Sequence, residues 1–319
     1  MIVSGVARER LCHHDLVSFP SRMQTGNGTG KRHDHVEKER EDMSMEVERH
    51  IEVAGGSIAV RTAGSGRGIV FVHGGGGDGH NWDGIVERLR HRFTCVIVDR
   101  CGYGKSTWTA PTPPSRDDHG AHFCQVVEEL ELEDPCGVGT SGGAIAILAA
   151  LRRHKEIVTG AVLIEPPLHI DDGDGDGVPV PAPLDSSSAT RTDDQGDIVD
   201  RGIASIRRLD PVAWDTMVPE NRQRYIDSFP TMLRETSQPG IKITRQEIER
   251  MDLPVTVVYG TTTPERLIDF SEALSATLPQ GRIETIEGAA HLMYLTHTDE
   301  VCRLIERFVD TCPRMSRSA

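Results

Sequence analysis

Gly139-Thr140-Ser141-Gly142-Gly143 is the stretch that decides the fold. It has the pattern G-x-S-x-G, it closes the short strand-like run Gly137 to Thr140, and an Ala-rich, helix-forming stretch follows Ser141. A serine on so sharp a strand-to-helix turn is pushed out at the carboxyl edge of a sheet. The turn needs small residues two before and two after, because it brings backbones together. The N-terminus of the following helix faces the same serine. As five residues the pattern also fits a Gly/Ser-rich loop, and it is the flanking strand and helix that favour a nucleophile.

Working outward, strand and helix alternate from Glu46. Ile58 to Arg61 and the apolar run Ile69 to Val72 are predicted strands, Asn81 to Leu89 a helix, and Thr94 to Val98 a further strand. Phe123, Val126, Val127 and Leu130 recur at helical spacing. Beyond the pentapeptide come strands at Ala161 to Ile164, Val255 to Tyr259 and Ile283 to Ile286, then a last helix with Val301, Leu304, Ile305 and Phe308 on one face. Short apolar strands between helices predict an α/β architecture, its mostly parallel sheet covered by helices on both sides.

One segment interrupts the rhythm. Between Pro166 and about Arg250 no strand is predicted, Asp171 to Asp200 is rich in Asp, Gly, Pro and Ser, and Ile203 to Arg208 and Asn221 to Arg234 read as helices. Residues 167–250 are therefore expected to form a helical lid, reached over a flexible acidic stretch and inserted between core segments 46–166 and 251–319. Residues 1–45 have little apolar periodicity and are expected to be a disordered tail; translation could equally begin at Met43 or Met45, just before the first strand-like run.

Composition narrows the function. The 319 residues are 37 % hydrophobic, enough for a sizeable core, and carry a net charge of −14. Such a balance argues against nucleic acid and against an anionic membrane surface as partners. There is no apolar run of 18 residues, the first residues lack the basic start, apolar core and small-residue cleavage site of a secretory signal, and the seven cysteines are scattered without a C-x-x-C pair. They read as reduced thiols of a cytoplasmic protein. Nothing in the chain fixes an oligomeric state.

A serine hydroxyl is a poor nucleophile until a base takes its proton, so a histidine is required on a later loop at the same sheet edge. His291 meets that need, in Glu287-Gly288-Ala289-Ala290-His291, past the strand Ile283 to Ile286 and before the last helix. Charge developing on a substrate oxygen needs fixed N–H donors. The loop His73-Gly74-Gly75-Gly76-Gly77 can supply one from Gly75, with a second from Gly142. Gly74, Gly76 and Gly79 also spell G-x-G-x-x-G, with Asp99 ending the next strand, but a dinucleotide site would leave Ser141 and His291 unexplained. Asp172, Asp174, Asp176 and Gly177 mimic the start of a calcium loop, yet Pro183 stands where that loop needs Glu, so an acidic linker is the expectation. No metal or organic cofactor is required.

Asp99-Arg100-Cys101-Gly102-Tyr103-Gly104-Lys105-Ser106 resembles the D-x-R-G-x-G-x-S loop of the α/β-hydrolase superfamily, with Cys101 where a glycine usually stands. Over about Glu46 to Cys312, interrupted by the lid, the chain resembles that superfamily, which implies the α/β-hydrolase fold. Most members carry the triad acid after the penultimate strand, three residues past a glycine. Here that stretch reads Gly260-Thr261-Thr262-Thr263-Pro264 and holds no carboxylate. One does stand at the tip of the strand after the nucleophile helix, in Ile164-Glu165-Pro166. Adjacent strand ends can serve one histidine equally well, since the requirement is a carboxylate on the imidazole Nδ1–H. Glu165 is accordingly the expected acid, with Glu265 and Asp269, the nearest carboxylates after the threonine run, as rivals.

The order Ser, Glu, His resembles the zearalenone lactone hydrolases, whose acid is a glutamate just before Leu-Pro at the same strand end; the threonine-rich Gly260 to Glu265 segment is similar to theirs. The resemblance implies catalysis by Ser141, Glu165 and His291, an oxyanion hole at Gly75 and Gly142, and substrate contacts at Gly74 and at lid residues Phe229, Met232 and Leu233. Two positions depart from that family: an Asp-Gly pair is replaced by Gly74 and Gly75, and its lid tryptophan by Met232. The expected function is hydrolysis of a small apolar carboxylic ester or lactone through an acyl-enzyme. The alternative is a ligand-binding or weakly active protein of the same fold with an incomplete triad.

Overall fold

The computed structural model describes residues 47–171, 195–238 and 240–314. The expected tail, 1–45, and the calcium-loop-like stretch at Asp172 to Gly177 lie outside these residues. In chain order the elements are β1 (Val47–Val53), β2 (Gly56–Ala63), β3 (Arg67–Val72), a 3₁₀ turn (Gly79–Trp82), α1 (Asp83–Leu89), β4 (Phe93–Val98) and β5 (Thr107–Trp108). Then come α2 (Arg116–Glu129), β6 (Cys136–Thr140), α3 (Gly142–Arg153), β7 (Gly160–Ile164), β8 (Ile170–Asp171), α4 (Gln195–Leu209), α5 (Ala213–Thr216) and α6 (Pro219–Thr236). β9 (Ile243–Thr244), α7 (Arg245–Glu249), β10 (Val255–Gly260), α8 (Glu265–Thr277), β11 (Gly281–Ile286), α9 (Met293–Thr296) and α10 (Thr298–Thr311) complete the chain.

The main sheet runs β1-β2-β4-β3-β6-β7-β10-β11, with β5 paired to β2. β1 and β2 enter antiparallel, and every pair from β4 to β11 is parallel. β6 and β7 are buried along their whole length, as is β3 after Arg67, because helices cover both faces. Alternation along each strand divides the core. Ile69, Phe71, Cys95 and Ile97 face Trp82, Ile85 and the α10 residues Val301, Leu304 and Ile305, while Val70, Val72, Val96 and Val98 face Phe123, Ile147 and Leu148 of α2 and α3.

The chain order reverses beside β3, between β4 and β6, and the carboxyl ends of parallel strands at such a reversal form the crevice where ligands bind. α2 begins there because Ser115 caps it, in a reciprocal box with Asp118.

Two features of the Pro166 to Arg250 segment differ from the sequence expectation. It does contain strand: β8 and β9 pair in parallel, Ile170 with Ile243 and Asp171 with Thr244, joining the two ends of the insertion. Two residues each are too short for an alternation to register in the sequence. The helices are also longer than their apolar runs, α6 starting at Pro219, whose missing N–H costs nothing at a first helical position. No helix among the described residues is long and apolar enough to cross a membrane.

Candidate active site

Ser141 sits between β6 and α3 with φ +49° and ψ −118°, a conformation that costs an L-residue about 1–3 kcal/mol. Its N–H is held by the Ile164 carbonyl at 2.8 Å. The flanking glycines are sterically required: a Cβ on Gly139 would lie 2.7 Å from the Ala144 nitrogen, and one on Gly143 would lie 2.2 Å from the Val72 carbonyl oxygen. The turn thereby lifts Ser141 to the carboxyl edge and aims the first turn of α3 at it.

Glu165, one strand over at the tip of β7, also has positive φ, +45°. It is fully buried, and its carboxylate accepts three hydrogen bonds. Oε2 accepts from His291 Nδ1 at 2.6 Å; Oε1 accepts from the Gly260 N–H at 2.9 Å and from the Thr263 hydroxyl at 2.5 Å. A carboxylate can only accept, so the proton between them belongs to Nδ1 and leaves Nε2 free to take one.

Thr263 stands three residues past Gly260, where the resembling superfamily carries its acid. Its hydroxyl holds Glu165 from the neighbouring strand instead, a role that only the threonine-rich spacing could have signalled. The His291 loop is fixed to the same run, since the Ala289 carbonyl accepts from Thr262 N–H at 2.9 Å and from its hydroxyl at 2.8 Å. Glu265 and Asp269 are exposed on α8.

Gly74, Gly75, Ser141, Gly142 and His291 line one cavity at this edge. Gly142 is the first residue of α3, so its N–H has no intrahelical acceptor. The loop can close over Ser141 because Gly74 lacks a Cβ, which would lie 3.0 Å from that of Ser141; one on Gly75 would lie 3.2 Å from Met232 Cγ. Behind the loop, the Gly74 carbonyl accepts from Arg100 Nη2 at 2.8 Å and from His73 Nδ1 at 2.8 Å, while His73 Nε2 accepts the Arg100 N–H at 3.0 Å. Asp99 is committed to its own loops, accepting from the N–H groups of Gly79 at 2.8 Å and Lys105 at 2.9 Å, so it is not offered to a ribose.

Burial, then the Arg100 charge, lowers the pKa of His73 to about 3. The folded protein keeps it neutral, whereas the unfolded chain protonates it near 6.5. Its contribution is therefore complete above pH 6.5 and lost as pH falls toward 3. Between pH 7 and 4.5 the wild type is expected to lose ~3 kcal/mol more stability than His73→Asn. Urea midpoints at the two pH values measure this, and equal losses in both proteins would contradict it.

Of the three lid residues implied by resemblance, Met232 lines the cavity and the other two do not. Phe229 is buried inside the insertion, its ring 6.1 Å from Trp214 and so close to α4 that a Cβ on Gly202 would meet it at 2.3 Å. Leu233, one turn on, shares that flank of α6 and packs into the same cluster. The flank bearing Met232, Glu235 and Thr236 turns to the cavity instead, and Ile206 and Leu209 of α4 complete the apolar wall. Sequence reading missed Glu235 and its partners. Arg100 donates to it through Nη1 at 2.7 Å and Nη2 at 3.1 Å, and Tyr103 and Arg116 bind it too.

The profile of the alpha/beta hydrolase family matches residues 69–304. The pimeloyl-[acyl-carrier protein] methyl ester esterase of Edwardsiella ictaluri is 29 % identical over 264 residues, which is 78 % of this chain and 96 % of that protein. Among solved structures, the esterase RhEst1 from Rhodococcus sp. ECU1013 superposes with a TM-score of 0.67 at 20 % identity, over 84 % of this chain and 99 % of its own. The enol-lactonase from Burkholderia xenovorans LB400 gives 0.66 at 18 % identity, over 82 % and 100 %. At such identities the superpositions establish a shared fold.

Proposed function

Because the chain belongs to the alpha/beta hydrolase family, we propose that it is a serine hydrolase that cleaves carboxylic esters or lactones through an acyl-enzyme. The observation that carries this reading is the 2.6 Å bond from buried Glu165 to His291 Nδ1, at the same sheet edge as the positive-φ Ser141. His291 Nε2 takes the Ser141 proton as Oγ attacks the substrate carbonyl, and the N–H groups of Gly75 and Gly142 receive the oxyanion. Collapse expels the alcohol, protonated by His291; in a lactone the alcohol stays on the acyl chain. Water, deprotonated by the same nitrogen, then releases the acid.

The missing carboxylate after β10, which would favour a ligand binder with an incomplete triad, loses its force because Glu165 takes the place of that group from β7. The names of relatives agree with ester and lactone chemistry. The Ser, Glu, His order supports likeness to the zearalenone lactone hydrolases in the placing of the acid, though Met232 and the Gly74-Gly75 pair make a different substrate wall.

Ile145, Ile206, Leu209 and Met232 make much of the cavity wall apolar. A flexible Met232 adapts to varied shapes. kcat/KM is therefore expected to rise at least ~10-fold from acetate to octanoate p-nitrophenyl esters, about 1.4 kcal/mol of added apolar contact. A panel of these esters beside small and macrocyclic lactones tests it, and best turnover with acetate would contradict it.

A further inference from the structure

The cavity also carries charge that the hydrolytic mechanism does not use. Arg116, the first residue of α2, and Glu235, in the last turn of α6, both line it. Glu235 is buried and receives two N–H groups of Arg100, one of Arg116 and the Tyr103 hydroxyl. Four donors fill the acceptor sites of a carboxylate. Burial alone would favour its protonated form, but the Arg100 and Arg116 charges outweigh that and hold its pKa well below the ordinary value. The carboxylate is thus ionised and has no acceptor site to spare.

The charges do not cancel. Two guanidiniums share one carboxylate, and the neighbouring groups add no second anion. Burial and then the Arg100 charge keep His119 and His73 neutral, and burial and then Glu235 keep Tyr103 protonated. The acids beside Arg116 on α2 are engaged elsewhere, Asp117 with Arg152 and Asp118 in the Ser115 cap. Arg100 is enclosed between Glu235 and the Gly74 carbonyl. Arg116 is the accessible one, its side chain 19 % exposed, and its hydrogen bond among the described contacts is the one from Nη1 to Glu235. Its other N–H groups have no partner among the described contacts.

From this imbalance we infer that Arg116, backed by Arg100, is an anion-recognition subsite. The favoured substrates carry a carboxylate in addition to the scissile ester or lactone. A guanidinium fork matches a carboxylate with two parallel hydrogen bonds, and the incoming charge brings the two guanidiniums to a two-to-two balance. Ile206, Leu209 and Met232 line the same cavity and offer the rest of the ligand an apolar wall. This inference rests on the hydrolase reading for the identity of the ester but not for the binding of the acid.

Calorimetry on the Ser141→Ala protein, which turns over neither ligand, tests it with monoethyl suberate and the uncharged diethyl suberate. The monoanion is expected to bind at least ~10-fold more tightly, the scale of a charge-assisted hydrogen bond. Adding Arg116→Gln should erase the preference, and Arg116→Lys should restore part of it. Equal affinity for the two ligands, absent binding of both included, would overturn the inference, as would a preference that survives Arg116→Gln. Because the two ligands are compared in one protein with Arg116 intact, the first arm does not depend on how the variants fold. Tight, Arg116-dependent binding of a monoester that the wild type fails to hydrolyse would support the subsite while sinking the hydrolase reading.

Discussion

Glu165→Gln is expected to keep the fold and lower kcat by about 10⁴, the loss that follows the aspartate-to-asparagine change in serine proteases. The reason lies in the asymmetry of its partners. Oε1 accepts from Gly260 N–H and Thr263 hydroxyl, and the N–H, which can only donate, requires an oxygen opposite it. The glutamine oxygen must therefore take the Oε1 position, which turns the NH₂ toward His291 Nδ1. An amide donor there selects the tautomer with its proton on Nε2, and that nitrogen can no longer accept the serine proton. Glu265→Gln and Asp269→Asn, at exposed positions on α8, should each change kcat by no more than about two-fold. Steady-state kinetics on the three variants in parallel decide the matter. A collapse at Glu265 or Asp269 with Glu165→Gln nearly intact would move the acid to the usual strand.

The parallel strands were legible because burial on both faces makes each one a short apolar run. Ile69 to Val72 and Ala161 to Ile164 need no partner to be read. β11 was found from Ile283 and Ile286, although as an edge strand it buries only the second, and Ile283 is 42 % exposed. β5, β8 and β9 have two residues each, which is below the length at which periodicity carries information. The 3₁₀ turn ahead of α1 is not separable from the helix in the sequence, because the Asp78 cap that starts it gives no apolar spacing of its own.

The site divides in a similar way. Ser141 and His291 are legible from position, since each stands where a strand meets the carboxyl edge. Glu165 was reachable only through the gap at Thr261 to Pro264 and a resemblance. That Met232 lines the cavity while Phe229 and Leu233 do not is illegible in the sequence, because helical spacing says which residues share a flank and not which flank meets the cavity. The charged cluster is invisible in the sequence. Arg100 and Arg116 meet Glu235 across separations of 135 and 119 residues, and nothing local marks any of them as a partner.

Ser141→Ala is expected to abolish hydrolysis, with a loss in kcat on the order of 10⁶, as removing the nucleophile does in subtilisin. Stability should change little. The strained φ of +49° is borne by serine and alanine alike, and the half-buried hydroxyl makes no hydrogen bond among the described contacts that hold the turn. The most direct measurement of the central claim is intact-mass and peptide mass spectrometry after exposure to a fluorophosphonate, which reacts with a serine only where a base has activated it. The wild type should gain one adduct on the peptide carrying Ser141, Ser141→Ala none, and Glu165→Gln the same adduct far more slowly. A wild type that hydrolyses esters yet gains no adduct, or an adduct that persists in Ser141→Ala, would contradict the assignment of Ser141 as the nucleophile.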